Sequence, residues 1–263
     1  MKEKLYTIPL NDAFHENDEC PFCYIEKKIE EDLLDFVLGS GSSYMESDIR
    51  ETTDKEGFCR YHFQKMFNYG NTLGNAWILK THYEKMRNEM QEQIKKFQPR
   101  KVGFKEKLNN GLLNKSTAGK ESARLNSMAH WTDEVTHSCY ICKRYAETYE
   151  RYLDTFFVMY RKDPDFVSMV QQSKGFCLPH FGDLCEMADG KLSDREKADF
   201  YPAIFQLMTK HMDRLQEDVS WLVEKFDYRN RDADWKTSRD AIQRGMQKLA
   251  GGYPAAPVYQ SSK

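Results

Sequence analysis

"GFCRYH" occupies residues 57–62 and "GFCLPH" occupies residues 175–180, so one chain of 263 residues writes Gly-Phe-Cys-x-x-His twice. Upstream of the first copy stands "ECPFC", with Cys20 and Cys23, and upstream of the second stands "SCYIC", with Cys139 and Cys142. Each copy therefore reads C-x2-C, a long gap, then C-x2-H. The gap is 36 positions from Cys23 to Cys59 and 35 from Cys142 to Cys177. Laying Cys142 on Cys23 also places Glu150 on Glu31, Leu153 on Leu34 and Asp154 on Asp35. One deletion later, Gly175, Phe176, Cys177, His180 and Phe181 fall on Gly57, Phe58, Cys59, His62 and Phe63. The chain is read as two divergent copies of one unit, at 17–97 and 136–227. Two copies are too few for a solenoid, which leaves a pseudo-symmetric pair.

The periodicity between these landmarks is helical. Phe22, Ile25, Ile29, Leu33 and Phe36 recur at three and four positions up to Gly39 and the turn-rich "GSGSS". Ile141, Tyr145, Tyr149, Tyr152, Leu153, Phe156 and Tyr160 do the same in the second copy. Asp163-Pro164 reads as an N-cap and first-turn proline opening a short helix through Phe166, Met169 and Val170. Each Gly-Phe-Cys opens a further helix, and long helices over 73–97 and 197–226 end the two copies. Another amphipathic helix is expected over 238–249. No alternating strand pattern stands out, so the expected fold is all-α, with two pseudo-symmetric helical units each holding a C-x2-C/C-x2-H site.

The expected organisation is a first unit at 1–97, a basic connector at 98–128, a second unit at 129–230, and a C-terminal helix and disordered tail at 231–263. Between Lys95 and Arg124, nine Lys or Arg oppose Glu106 and Glu121, a surplus of seven. With 39 basic and 41 acidic residues in all, the remainder carries about −9. The connector could touch nucleic acid, although a solvated linker is the simpler reading. The first residues lack the apolar region of a secretory signal, and no stretch approaches a membrane span. The expected compartment is the reducing cytoplasm, where short-spaced cysteine pairs are metal ligands or redox groups rather than disulfides.

Three cysteines and one histidine per copy make a Cys3His set. Zn2+ takes four such ligands tetrahedrally at about 2.0–2.3 Å. The C-x2-H spacing puts Cys and His on one helix face, and a helix N-terminus favours thiolate over thiol. The expected metal ligands are Cys20, Cys23, Cys59, His62, Cys139, Cys142, Cys177 and His180, as two zinc sites each built within its own copy. An iron–sulfur cluster is the alternative occupant. A dithiol redox reading competes, since "CPFC" has the glutaredoxin-type pattern, but that chemistry belongs to a βαβ scaffold. An enzyme with a pocket between the units is a third reading, without a nucleophile–base pair to support it. Cys185, aligned with Phe67, is read as buried filler, and His15 and His137 as solvated or core histidines.

Taken together, "CPFC" (20–23), "DIRETTDKEGFCRYHFQKM" (48–66), "CYIC" (139–142) and "SKGFCLPHF" (173–181) resemble DUF6062, a family of bacterial proteins of unknown function found largely in anaerobic Firmicutes. The resemblance spans about 8–250. It implies a cytoplasmic bacterial protein in which the eight Cys and His positions above are characteristic. It implies no activity, and the functional expectation is a binding or regulatory protein with structural metal sites, its partner a protein or a small molecule.

Overall fold

A computed structural model of the protein describes residues 2–41, 43–99 and 126–254. Among these residues there are eleven α-helices and no strand. They are α1 (Lys2–His15), α2 (Pro21–Leu38), α3 (Ser47–Glu56), α4 (Arg60–Tyr69), α5 (Thr72–Lys96), α6 (Ser127–His137), α7 (Tyr140–Lys162), α8 (Pro164–Gln172), α9 (Leu178–Lys191), α10 (Asp194–Glu224) and α11 (Ala241–Ala250). The internal repeat is five helices long: α1–α5 correspond in order to α6–α10. Periodicity located the long helices. It did not show α1, α3 or α6, which are short or polar and carry Pro9 in one case. The predicted connector lies mostly at 100–125, outside the described residues.

Local chemistry explains the helix starts. Asp163 accepts from the backbone N–H groups of Asp165 and Phe166, satisfying donors that a first turn leaves orphaned. Asn71 caps α5 and Asn126 caps α6 in the same way. Ser193 and Glu196 form a reciprocal capping box at the start of α10.

The chain divides into two compact units that do not follow the sequence halves. Unit 1 combines residues up to Leu33 with those from Arg144 onward, and the described part of unit 2 is Leu34–Lys143. The division falls inside α2 and inside α7, so each long helix gives its two ends to different units. Unit 1 is centred on Phe22, Phe156, Phe157, Phe166, Phe176 and Phe200, all essentially inaccessible. Phe14 meets Phe166 edge-on at 5.3 Å, and Phe156 meets Phe157 edge-on at 5.2 Å. Burying one such ring contributes about 1.5–3 kcal/mol, and edge-to-face geometry adds about 0.5–1.5. Unit 2 buries Leu34, Val37, Leu38, Phe58, Met66, Ile78 and Ile141.

Both Gly-Phe-Cys turns need their glycine. Gly57 has φ +62° with ψ −161°, and Gly175 has φ +75°. A Cβ on Gly57 would lie 3.2 Å from His82 Cε1, and one on Gly175 would lie 3.2 Å from Met208 Sδ. Gly57→Ala and Gly175→Ala are each expected to cost about 1–3 kcal/mol of stability, read as a lowered denaturation midpoint with unchanged helicity. A neutral result at either position would show that the turn relaxes without cost.

Candidate metal centres

Cys20 ends the loop before α2, and Cys23 lies in the first turn of that helix, its N–H bonded to the Cys20 carbonyl at 3.0 Å. Cys177 is the N-cap of α9, and His180 sits in the first turn beyond it. These four residues form one cluster. Cys59, the N-cap of α4, gathers with His62 and with Cys139 and Cys142 at the start of α7 to form the other. Within each cluster the ligand atoms all lie within 4.8 Å of one another.

The eight expected residues thus assemble into two sets, but the expected pairing is wrong. Neither cluster is built within its own sequence copy. Each joins the C-x2-C of one copy to the C-x2-H of the other. The pairing follows the division of the chain: Cys20 and Cys23 lie in unit 1 with Cys177 and His180, whereas Cys59, His62, Cys139 and Cys142 lie in unit 2. Each long helix, α2 and α7, begins in one unit and ends in the other, so the chain leaves its own cysteine pair before it reaches the next Gly-Phe-Cys turn.

The distances fit a single tetrahedral ion. Bonds of about 2.3 Å to sulfur and 2.0–2.1 Å to nitrogen place sulfurs about 3.8 Å apart and sulfur about 3.5 Å from nitrogen. Cys23 and Cys177 Sγ are 3.7 Å apart, and Cys59 and Cys142 Sγ are 3.8 Å apart. In both clusters the histidine turns Nδ1 toward the sulfurs. His180 Nδ1 is 3.3, 3.6 and 3.0 Å from Cys20, Cys23 and Cys177. His62 Nδ1 is 3.3, 3.2 and 3.3 Å from Cys59, Cys139 and Cys142.

Two helix N-termini converge on each cluster, bringing partial positive charge to the thiolates. The protonation pattern within each cluster is divided. Hydrogen bonds from Cys20 and Cys23, joined by that of His180, hold the Cys177 thiol far below its ordinary value. The bond to Cys177 pushes Cys23 far above it, with Cys20 and burial adding to the effect. In the other cluster, burial opposes ionisation of Cys139, yet the hydrogen bond from His62 lowers its pKa to about 6. Burial and the neighbouring Cys139 raise Cys142 to about 12. In each cluster the two sulfurs are driven in opposite directions, Cys177 down against Cys23 up and Cys139 down against Cys142 up. A divalent cation removes that conflict and allows all the sulfurs to ionise.

Sequence reasoning missed the groups that support the first cluster. Glu26 Oε1 lies 3.0 Å from His180 Nε2, the carboxylate–histidine arrangement that fixes a ligand's ring. Burial disfavours the imidazolium, but bonds to Cys177, Cys20 and Glu26 raise His180 to about 12. The signal for Glu26 was its position three residues after Cys23, on the same helical face. The backbone N–H of Gly252 donates to Cys23 Sγ at 3.3 Å, and Tyr253 Oη donates to Asp18 at 2.8 Å. Gly251–Tyr253, at the start of the stretch expected to be a disordered tail, packs against the cluster. In the second cluster the Tyr140 N–H donates to the Gly57 carbonyl at 2.9 Å, a bond that Pro21, at the matching position, cannot make.

His15 and His137 are exposed and join neither cluster. Cys185 is half-buried rather than buried filler, and Phe67, its counterpart, is 81% exposed.

No helix among the described residues is long and apolar enough to cross a membrane. No curated protein and no solved structure matches the chain. The match that exists is at the level of family: from residue 1 to 256 the chain fits one family model, and it belongs to the family of unknown function DUF6062.

Proposed function

We propose that the protein is a zinc-binding helical protein, with one ion held by Cys20, Cys23, Cys177 and His180 and another by Cys59, His62, Cys139 and Cys142. The carrying observation is the donor geometry: three sulfurs and one imidazole nitrogen within 4.8 Å, twice. Four filled positions describe closed sites rather than catalytic ones, so the metals serve to hold the fold of a binding or regulatory protein. The reading keeps the protein in a reducing compartment, consistent with seven free cysteines.

Zinc is favoured over an iron–sulfur cluster because each donor set closes around one ion, whereas a cluster spreads its ligands over several irons. Dithiol redox chemistry is disfavoured at "CPFC" because Cys20 and Cys23 are 0% and 1% exposed, and thiol–disulfide exchange needs access. Elemental analysis with an absorption spectrum of anaerobically purified protein tests the reading. The expected result is a colourless protein with two zinc ions per chain. Absorption near 400 nm with stoichiometric iron, or protein that folds and binds no metal, overturns it.

A further inference from the structure

Two sites with the same ligands differ sharply in access. Cys20, Cys23 and Cys177 are buried and His180 is 2% exposed. In the other set Cys142 is exposed and Cys59 half-buried, with only His62 and Cys139 buried.

The closure of the first set has an identifiable cause. The segment after α11 turns through Gly251 and Gly252, at φ +76° and +68°, and a Cβ on Gly251 would lie 3.5 Å from Cys177 Sγ. Gly252 donates its N–H to Cys23 Sγ. The segment is tied to the chain just before both ligand pairs. Gln247 donates to Asp18 at 2.6 Å, and the buried Lys248 ammonium donates to the carbonyls of Glu19 and Lys174 at 2.6 and 2.7 Å. This strap presses backbone onto two of the three sulfurs.

The residues beside the ligands differ in the same sense. The positions following Cys23 and Cys177 are Tyr24 and Leu178. Their counterparts following Cys142 and Cys59 are Lys143 and Arg60, both exposed. Lys143 pairs with Glu56 at 2.6 Å while remaining open to solvent. The accessible sulfurs are therefore flanked by cations, which draw in an anion.

Building on the zinc reading, we propose that the two sites differ in kind: the Cys59–His62–Cys139–Cys142 site exchanges its ion with low-molecular-weight anionic thiols, while the strapped site does not. An incoming thiolate takes the coordination position of Cys142. The bond to the Cys142 sulfur breaks as the bond to the incoming sulfur forms. No electron is transferred, and the proton leaving the incoming thiol ends on Cys142. The strapped site denies this approach because the backbone of Gly251 and Gly252 occupies it.

The test uses the full-length protein loaded with two zinc ions and mixed with a chromophoric chelator, with and without glutathione as the anionic thiol. Release is expected in two equal phases, the fast one accelerated in proportion to glutathione and slowed by added salt. The phases are expected to separate by at least about tenfold, the scale on which supporting groups alter metal binding. Cys142→Ser should abolish the fast phase and leave the slow one. R60A/K143A should retain both ions and lose most of the glutathione acceleration. Gly252→Pro, which removes the N–H and cannot adopt the positive φ, should make the slow phase fast. Release of both ions in one phase, or a fast phase that survives Cys142→Ser, overturns the proposal while leaving the zinc reading intact. Protein that never holds two zinc ions defeats the zinc reading itself.

Discussion

The double replacement of Cys59 and Cys142 by serine is expected to leave one zinc ion per chain, whereas replacing Cys23 and Cys59 together is expected to leave none. The first pair belongs to one spatial cluster and the second to two, although Cys23 and Cys59 share a sequence copy. A closed tetrahedral site loses its ion when a ligand is removed, because no solvent position was designed to substitute. Single replacements cannot make this distinction, since any one cysteine removes one ion under either pairing. Metal analysis of the two double variants, with helicity checked by circular dichroism, reads the connectivity directly. One ion in Cys23→Ser/Cys59→Ser and none or two in Cys59→Ser/Cys142→Ser would mean that the clusters do not bind as they are arranged.

A large stability effect is expected at Glu19, next to Cys20 and 2% exposed. Its carboxylate meets Arg214 Nη2 at 2.5 Å, Arg244 Nη1 at 3.5 Å and Lys248 Nζ at 3.5 Å. Asp218 shares Arg244 at 2.9 Å. Glu19→Gln leaves three cations, one of them fully buried, around a neutral group. Breaking such a set costs about 3–5 kcal/mol, or roughly 10 °C in melting temperature for a unit of this size. Lys248→Met should cost less, about 1–3 kcal/mol, because Glu19 keeps its arginines and only two carbonyls lose a donor.

The pH dependence has a definite sign. Burial by itself would raise the Glu19 pKa, but the Arg214 hydrogen bond and the charges of Lys248, Arg214 and Lys174 bring it below the ordinary carboxylate value. Its stabilisation is therefore full above the ordinary range and is lost as pH falls through the lowered folded value. Wild type should lose its advantage over Glu19→Gln in thermal melts of the two proteins at matched metal content as pH drops below about 4.5. An advantage that stays constant with acidification would show that the carboxylate charge is not what Glu19 supplies.

The helix that carries Lys248 shows where pattern reading inverts. The spacing of Ile242, Met246 and Leu249 implies an apolar face turned inward, yet all three are exposed. Arg244, Gln247 and Lys248 face the protein instead, drawn by Glu19, Asp218 and Asp18. A hydrophobic stripe does not decide the orientation of a helix when buried carboxylates lie on the surface it packs against.

By itself, the sequence determined the helical class, the repeat, the glycines at the two ligand turns and the identity of all eight candidate ligands. Each of these rests on local chemistry: apolar spacing, capping side chains, positive-φ turns and donors three residues apart. The partner of each C-x2-C pair was decided only by the tertiary structure. Both C-x2-H pairs offer the same donors at the same spacing, so local chemistry is indifferent between them. The passage of α2 and α7 from one unit to the other breaks that tie. The difference in access also belonged to the tertiary structure, because a glycine-rich turn after α11 has the composition of a loose tail. Only the bonds from Gln247, Lys248, Gly252 and Tyr253 to the first ligand segments make it a cover.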